Sequence, residues 1–250
     1  MKILSTEVSH GVRLRVGTLA GDTHPIPVAL WTPEEGVPRM LIAVGHGASG
    51  HKMEDYVVAL ARQLVRHHQA AVFALDGPNH GERNPQPSVT GPLALMEFAQ
   101  RWSSDGTLTD VAVAEWRWAL DEILEFLSAA SDLAIGYWGL SMGTILGLPL
   151  VAAEPRISAA VLGLMGATGP TRERIVSDAA SLTPPIFFLG QWDDELFPRA
   201  SVVELFGLIG SRDKTLVMSP GPHSGVSGEN FRRSVDFLAD RLLKVNSTPH

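Results

Sequence analysis

The chain has 250 residues, 45% of them hydrophobic, a length that suits one large hydrophobic core better than two. Acidic side chains outnumber basic ones by 27 to 20, and without a dense basic run the sequence carries no electrostatic footprint for nucleic acid. Cysteine is absent, which excludes disulfides, thiolate metal sites and cysteine nucleophiles. The nine histidines show no metal-ligand spacing. We therefore predict a single domain over residues 1–250 with no cofactor and no metal.

Neither a secretion signal nor a membrane anchor is predicted. Residues 1–7 contain no apolar run of signal-peptide length, so we expect a cytoplasmic protein. Residues 133–153 carry no charge and are about long enough to span a bilayer. Their glycines, their proline and a central serine instead favour a buried strand followed by a buried helix. No membrane partner is expected, and the oligomeric state is left open.

Two strands are predicted near the amino terminus, followed by a regular alternation of strands and helices. Residues 12–16 alternate apolar with basic side chains, and residues 26–31 follow turn signals, a pattern typical of an antiparallel start. The later predicted elements are strand 40–44, helix 56–67, strand 70–75, helix 116–127, strand 133–138, helix 144–153, strand 159–164, strand 186–189, helix 201–209, strand 215–218 and helix 231–243. This alternation predicts an α/β fold: a doubly wound, mostly parallel sheet of about eight strands with helices on both faces. Ligands of such sheets bind beyond the carboxyl ends of the strands.

The most informative motif is Gly139-Leu140-Ser141-Met142-Gly143, which lies between an apolar strand and an apolar helix. A sharp turn from strand to helix crowds its neighbours, and small flanking residues relieve that crowding. The turn would expose the hydroxyl of Ser141 near the amino end of the helix, where a developing anion is stabilised. The pattern therefore predicts a nucleophile elbow with Ser141 as the nucleophile.

A serine nucleophile needs a base, and His223 is the candidate. It lies in a loop directly after the predicted last strand, 215–218, from which it could reach Ser141. The other histidine after the elbow is His250, at the chain terminus, where precise placement is not expected.

The acid that orients this histidine is predicted in the segment after strand 186–189. Asp193 and Asp194 both fit the order serine, acid, histidine. Asp194 lies four residues before Pro198 and is the better match to the usual spacing, with Asp193 kept as the alternative. Glu195 is expected to be solvated or to cap a helix.

The tetrahedral intermediate of acyl transfer requires two backbone donors. The amide of Met142, directly after the serine, would be one, and the glycine-rich loop 45–50 can supply the other, for which we select Ala48. A glycine-rich turn also suits phosphate, but the loop lacks the Lys-Ser pair of a Walker motif, so nucleotide binding is not expected.

With these residues in place, the chain resembles the α/β-hydrolase superfamily, in its compact dienelactone-hydrolase-like and carboxylesterase-like branch, over nearly its whole length. Residues 76–83 resemble the Asp-x-Pro-x-His-Gly-x-Arg turn of many such enzymes, where it is mostly structural. Dienelactone hydrolase uses a cysteine where this chain has Ser141, which favours ordinary esters. The resemblance implies a serine hydrolase that cleaves a small-molecule carboxylic ester through an acyl-enzyme. The same triad also serves amidases, peptidases, lactonases and carbon–carbon hydrolases, and some members with the fold only bind ligands.

Two segments are candidates for substrate specificity. Residues 84–110 are rich in proline and apolar side chains and could form a small lid or a surface excursion with one helix on the core. Residues 166–185 could add a second wall, with Arg172 and Arg174 available to an acidic substrate or simply solvated.

Overall fold

A computed structural model describes residues 1–21, 24–128 and 133–245. Within these ranges, one sheet contains nine strands, named in chain order: β1 Lys2–Ser9, β2 Val12–Leu19, β3 Ile26–Pro33, β4 Met40–Gly45, β5 Ala70–Leu75, β6 Ala134–Gly139, β7 Ile157–Gly163, β8 Ile186–Gln191 and β9 Lys214–Ser219. The helices of the described residues are α1 Asp55–His68, α2 Gly91–Ser104, α3 Leu108–Phe126, α4 Met142–Ala153, α5 Arg172–Ser181, α6 Arg199–Leu208 and α7 Gly228–Val245, with a short 3₁₀ turn at Gly81–Arg83.

The strand order in the sheet is β1-β2-β3-β5-β4-β6-β7-β8-β9. Strands β1, β2 and β3 run antiparallel to their neighbours, and β3 also pairs antiparallel with β5. From β5 to β9 every pairing is parallel. The predicted α/β architecture, doubly wound and mostly parallel, is therefore confirmed. That residues 1–250 form one domain stays a prediction.

The strand that the sequence did not reveal is β1, which makes nine strands where about eight were expected. It lies at the edge of the sheet, and seven of its eight residues are exposed. A strand with no buried face lacks the alternation of apolar and polar side chains on which sequence interpretation depends. Pairing with β2, rather than burial, holds it in place.

Two hydrophobic clusters cover the two faces of the sheet. One contains side chains from α3, α4, α5 and α6, and the other contains side chains from α1 and α7. Strand β6 contributes to both, because Tyr137 points into the first and Trp138 into the second. A strand buried on both faces explains the continuous apolar run in its sequence.

The uncharged run 133–153 is thus divided between the buried strand β6 and the buried helix α4. Among the described residues, no helix combines the length and apolar character needed to cross a membrane. The turn between β6 and α4 lies at the carboxyl edge of the parallel strands and carries Ser141.

Candidate active site

Ser141 occupies a strained turn between β6 and α4. Its backbone angles are φ 58° and ψ −118°, in a region that residues with a side chain rarely adopt. The amide of Ser141 donates to the carbonyl oxygen of Gly163 at the end of β7, at 3.0 Å. This bond to the neighbouring strand holds the strained residue at the edge of the sheet.

Glycines are required on both sides of Ser141. A Cβ at Gly139 would lie 2.7 Å from the carbonyl oxygen of Gly143, and a Cβ at Gly143 would lie 2.5 Å from the carbonyl oxygen of Gly45. Both clashes involve backbone atoms, which cannot rotate away. The tightness of the turn therefore explains Gly139, and its close approach to β4 explains Gly143.

Hydrogen bonds from Thr144 and Tyr137 hold the first turn of α4 against the ends of β6 and β7. The hydroxyl of Thr144 lies 2.8 Å from the carbonyl oxygen of Gly139 and 2.7 Å from that of Gly163, and it accepts a hydrogen bond from the Gly163 amide at 2.8 Å. Tyr137 donates its hydroxyl to the carbonyl oxygen of Gly143 at 2.6 Å. These buried bonds preorganise the elbow.

The structure brings Ser141, His223 and Asp194 into one hydrogen-bonded chain. His223 Nε2 lies 2.9 Å from Ser141 Oγ, and His223 Nδ1 lies 2.8 Å from Asp194 Oδ2. The Asp194 side chain is fully buried and that of His223 is 12% exposed. The geometry is that of a nucleophile, a base and an orienting acid.

Asp194 is held by more than the imidazole. Its Oδ1 accepts hydrogen bonds from the amides of Leu196 at 2.8 Å and Phe197 at 2.9 Å. Burial alone would raise the pKa of Asp194, but the hydrogen bond from His223, these amides and the charge of the imidazole outweigh burial and lower that pKa. Asp194 is therefore ionised at neutral pH.

Asp193 and Glu195, on either side, make backbone contacts instead. Asp193 Oδ2 accepts from the amide of Gly221 at 3.1 Å, and Glu195 Oε2 accepts from the amide of His223 at 2.9 Å. Both carboxylates thus brace the loop that carries His223. Asp194 alone of the three contacts the imidazole ring among the described contacts.

The loop after β4 carries Ala48 beside the serine, and a histidine sets the orientation of its peptide. His46 Nε2 accepts from the amide of Gly77 at 2.8 Å, so the ring proton is on Nδ1, which donates to the carbonyl oxygen of Gly47 at 2.8 Å. The amide of Gly47 in turn donates to the hydroxyl of Tyr56 at 2.7 Å. Among the described residues, no backbone acceptor is paired with the amide of either Ala48 or Met142.

Burial determines the protonation of His46. It lowers the pKa of the imidazole to about 3, helped by the nearby ring of His80. The ring is therefore neutral, as its acceptor role toward Gly77 requires.

The turn at residues 76–83 supports the same loop. Buried Asp76 accepts from the amide of Lys52 at 3.0 Å and pairs with its Nζ at 2.7 Å. Lys52 Nζ also pairs with half-exposed Glu82 at 2.5 Å. His80 Nε2 lies 2.9 Å from the carbonyl oxygen of Ala48. The turn thus has the structural contacts that the resemblance implied.

Two cavities meet at Ser141. The first, of about 300 Å³, is lined by His223, Glu54, Tyr56 and Phe231 among others, and we call it the His223 cavity. The second, of about 430 Å³, lies beneath helix α2, and we call it the α2 cavity. Helix α2 belongs to the segment 84–110, part of which therefore forms a wall of the site, while the choice between a small lid and a surface excursion stays open.

Arg172 and Arg174 line neither cavity. Arg172 pairs with Glu204 at 2.8 Å, and Arg174 pairs with Asp110 at 2.8 Å and with Asp178. These arginines are thus partnered by carboxylates at the surface.

Several residues around the site were not identified from the sequence. His46 had a usable signal, because it follows an apolar strand within the glycine-rich loop. Thr144 and Tyr56 had none, since a hydroxyl near a helix start has many ordinary roles. Leu95 and Leu196 line both cavities, a fact that depends on tertiary packing.

No ready metal site is present: among the described residues, no group of three or more His, Cys, Asp or Glu side chains could hold a metal ion.

Comparison with known proteins places the chain among esterases. A scan of family models and a search of curated proteins each find no match. Among solved structures, the polyethylene-glycol-bound complex of a cold-adapted esterase from an Arctic intertidal metagenomic library is 39% identical with a TM-score of 0.87, over 97% of this chain and 100% of that one. The native structure of a cold-adapted esterase from such a library is 36% identical with a TM-score of 0.80, over 95% and 97%. A 2,6-dihydroxy-pseudo-oxynicotine hydrolase, 20% identical with a TM-score of 0.68 over 93% and 69%, shares the fold. On the strength of the 39% identity over 97% of this chain and 100% of the other, the chain belongs to this family of esterases with the α/β-hydrolase fold.

Proposed function

We propose that this protein hydrolyses carboxylic esters of small molecules through an acyl-enzyme formed on Ser141. His223 is the general base and then the general acid, and Asp194 orients the imidazole and stabilises its charged form. The amides of Ala48 and Met142 hold the oxyanion. The esterases of the same family support ester hydrolysis as the reaction.

One observation carries the assignment of roles. Ser141 Oγ, the two ring nitrogens of His223 and Asp194 Oδ2 form a continuous chain with contacts of 2.9 and 2.8 Å. The Asp194 contact places the imidazole proton on Nδ1, which leaves Nε2 free to accept the hydroxyl proton. A merely structural serine has no need of such an arrangement.

In the acylation step, Ser141 Oγ attacks the carbonyl carbon of the ester while its proton passes to His223 Nε2. The carbonyl oxygen takes the electron pair and is stabilised by the two amides. Collapse of this intermediate breaks the bond to the alcohol oxygen, which receives the proton from Nε2. A water molecule then gives a proton to Nε2 and attacks the acyl carbon, and collapse releases the acid and restores the Ser141 hydroxyl.

The test compares wild type with Ser141→Ala on a series of p-nitrophenyl esters, together with labelling by a fluorophosphonate. Ser181→Ala is the matched control, because Ser181 is an exposed serine on α5 whose hydroxyl bonds only to the carbonyl of Asp178 among the described contacts. We expect hydrolysis and labelling in wild type and Ser181→Ala, and neither in Ser141→Ala.

Each other outcome has a defined meaning. A chain that is labelled at Ser141 but hydrolyses none of these p-nitrophenyl esters would favour amides, lactones or carbon–carbon bonds as the substrates. Folded wild type that is not labelled would overturn the proposal in favour of a ligand-binding member of the fold.

The expected cytoplasmic location is a separate prediction, tested by cell fractionation.

A further inference from the structure

The two cavities at Ser141 are separated by a pair of leucines. Leu95, from α2, and Leu196, from the loop after β8, line both cavities, as do Ala48 and Ser141. Leu196 follows the triad acid by two residues, and its amide donates to Asp194. An ester bond at Ser141 therefore lies at the junction, with its two halves directed into different cavities.

The position of His223 distinguishes the cavities. His223 lines the first cavity and is absent from the lining of the second. Under the proposed function, on which this inference rests, His223 Nε2 must deliver a proton to the departing alcohol oxygen. The alcohol half of the ester must therefore lie on the His223 side, which leaves the α2 cavity for the acyl half.

The lining of the α2 cavity defines what that acyl half can be. Among the residues that the structure describes, this lining contains no charged side chain and is formed largely by apolar and aromatic groups, including Phe98, Trp102, Ile145 and Phe197. Burying a carboxylate or an ammonium there would leave it without a partner, at a large cost. By contrast, the His223 cavity holds the carboxylate of Glu54 as well as the imidazole.

One wall of the α2 cavity is firmly held. Trp102 Nε1 donates to Thr171 Oγ1 at 2.9 Å, and its ring packs against the backbone of Gly169, where φ is 89°. The ring also stacks on Phe98, with centroids 6.2 Å apart. A wall fixed in this way limits the size of the acyl group.

We propose that the α2 cavity is the acyl-binding site and that the enzyme prefers esters with an uncharged, apolar acyl chain of medium length. Leu95 and Leu196 separate this chain from the alcohol half. Residues on α2 therefore determine acyl specificity, and residues of the His223 cavity determine alcohol specificity.

The test uses two substrate series and three variants. The acyl series compares p-nitrophenyl hexanoate with p-nitrophenyl acetate, and the alcohol series compares hexyl acetate with ethyl acetate by pH-stat titration. Ala99→Phe fills the α2 cavity from an exposed position on that helix, and Val226→Phe fills the His223 cavity. Gln100→Phe, at the neighbouring exposed position that lines neither cavity, is the matched control.

In Ala99→Phe we expect the hexanoate-to-acetate ratio of kcat/KM to fall about tenfold, as exclusion of about two methylenes would give, while the hexyl-to-ethyl ratio stays constant. Val226→Phe should lower the hexyl-to-ethyl ratio instead, and Gln100→Phe should change neither. If Ala99→Phe lowers the alcohol ratio, or leaves both ratios unchanged, the assignment is overturned. Failure of the proposed function is distinguishable, because wild type would then either hydrolyse neither substrate series or hydrolyse p-nitrophenyl acetate no faster than Ser141→Ala does.

Discussion

His46 donates its Nδ1 proton to the carbonyl oxygen of Gly47, which belongs to the same peptide group as the amide of Ala48. This bond fixes the plane of the peptide whose N–H is the proposed oxyanion donor. It also polarises the peptide, because a hydrogen bond to a carbonyl strengthens the donor at its other end. We therefore expect His46 to be a positioning residue that acts through Gly47, since it lines neither the His223 cavity nor the α2 cavity.

The substitution His46→Gln should lower kcat by about 10- to 100-fold, somewhat less than the loss of an oxyanion donor itself, with a smaller change in KM. The side-chain amide of Gln reaches the position of His46 Nε2, so the hydrogen bond to the carbonyl oxygen of Gly47 is lost. His46→Asn, whose amide nitrogen replaces Nδ1, should recover part of kcat. Steady-state kinetics on one p-nitrophenyl ester would measure both, with circular dichroism to verify folding. Equal losses in the two variants would contradict a role for the Nδ1 donor.

Buried His46 should also make folding sensitive to acid. Its ordinary pKa is 6.5, and burial, with the neighbouring His80, lowers the pKa in the folded chain to about 3. Below pH 6.5 the unfolded chain therefore binds a proton on His46 that the folded chain does not bind. The free energy of unfolding accordingly falls as the pH falls toward 3. The expected loss is about 1.4 kcal/mol per pH unit, or about 2 kcal/mol between pH 6.5 and pH 5.

Urea unfolding at pH 7 and pH 5 would test this contribution, with His46→Asn as the reference, because every other titrating group is common to both proteins. Wild type should lose more stability than the variant over this interval. The same loss in both proteins would show that His46 does not titrate as its burial requires.

Asp194 and Asp193 offer a matched pair of adjacent carboxylates. Asp194→Asn removes the charge that stabilises the imidazolium and can turn the imidazole to the wrong tautomer, so kcat should fall by about 10³- to 10⁴-fold. Asp193→Asn alters only the bond to the Gly221 amide and should cost less than about tenfold. The comparison is of kcat/KM on one ester. A larger loss in Asp193→Asn would exchange the roles of the two residues.

The contrast between these aspartates shows how far the sequence can be interpreted. The turn around Ser141 could be predicted from the sequence because its requirements are local: two glycines, a serine, and apolar runs on either side. The order of serine, acid and histidine narrowed the acid to two neighbours, but choosing between them rested on a spacing preference. In the structure Asp194 alone of the two contacts the imidazole ring of His223 among the described contacts, and this contact joins segments 29 residues apart.

Contacts between distant segments were beyond the reach of sequence analysis. His46 meets Gly77, 31 residues away, and Trp102 meets Thr171, 69 residues away. Both contacts shape the site, one through the loop 45–50 that carries Ala48 and the other through the α2 cavity. The edge strand β1 was not predicted for a different reason, because a strand that pairs without being buried has no hydrophobic pattern in its sequence.

Two glycine-to-alanine substitutions should have opposite effects on stability. At Gly143 a Cβ would lie 2.5 Å from the carbonyl oxygen of Gly45, so Gly143→Ala must displace the elbow or β4. At Gly207 in α6 a Cβ would meet nothing within 4 Å, and alanine should stabilise the helix by about 0.5–1 kcal/mol. We expect Gly143→Ala to lower the melting temperature and kcat, and Gly207→Ala to raise the melting temperature with kcat unchanged. Thermal unfolding and ester kinetics would measure both, and an active, equally stable Gly143→Ala would refute the steric account.

The buried ion pair between Lys52 and Asp76 should contribute more to stability than the half-exposed ion pair between Lys52 and Glu82. Both side chains are almost fully buried, so Lys52→Met leaves the Asp76 carboxylate without its counter-charge and should cost about 3–5 kcal/mol. Glu82 is half exposed, and Glu82→Gln should cost about 1 kcal/mol or less. Because the Lys52 amide also bonds to Asp76, the change should loosen the loop that carries Ala48, the proposed oxyanion donor, and lower kcat as well as stability. Urea unfolding of the two variants at neutral pH gives the comparison. If Glu82→Gln destabilises the protein as much as Lys52→Met, the stability would come from the lysine's contact with the surface carboxylate, and the buried pair would not have the role that its burial implies.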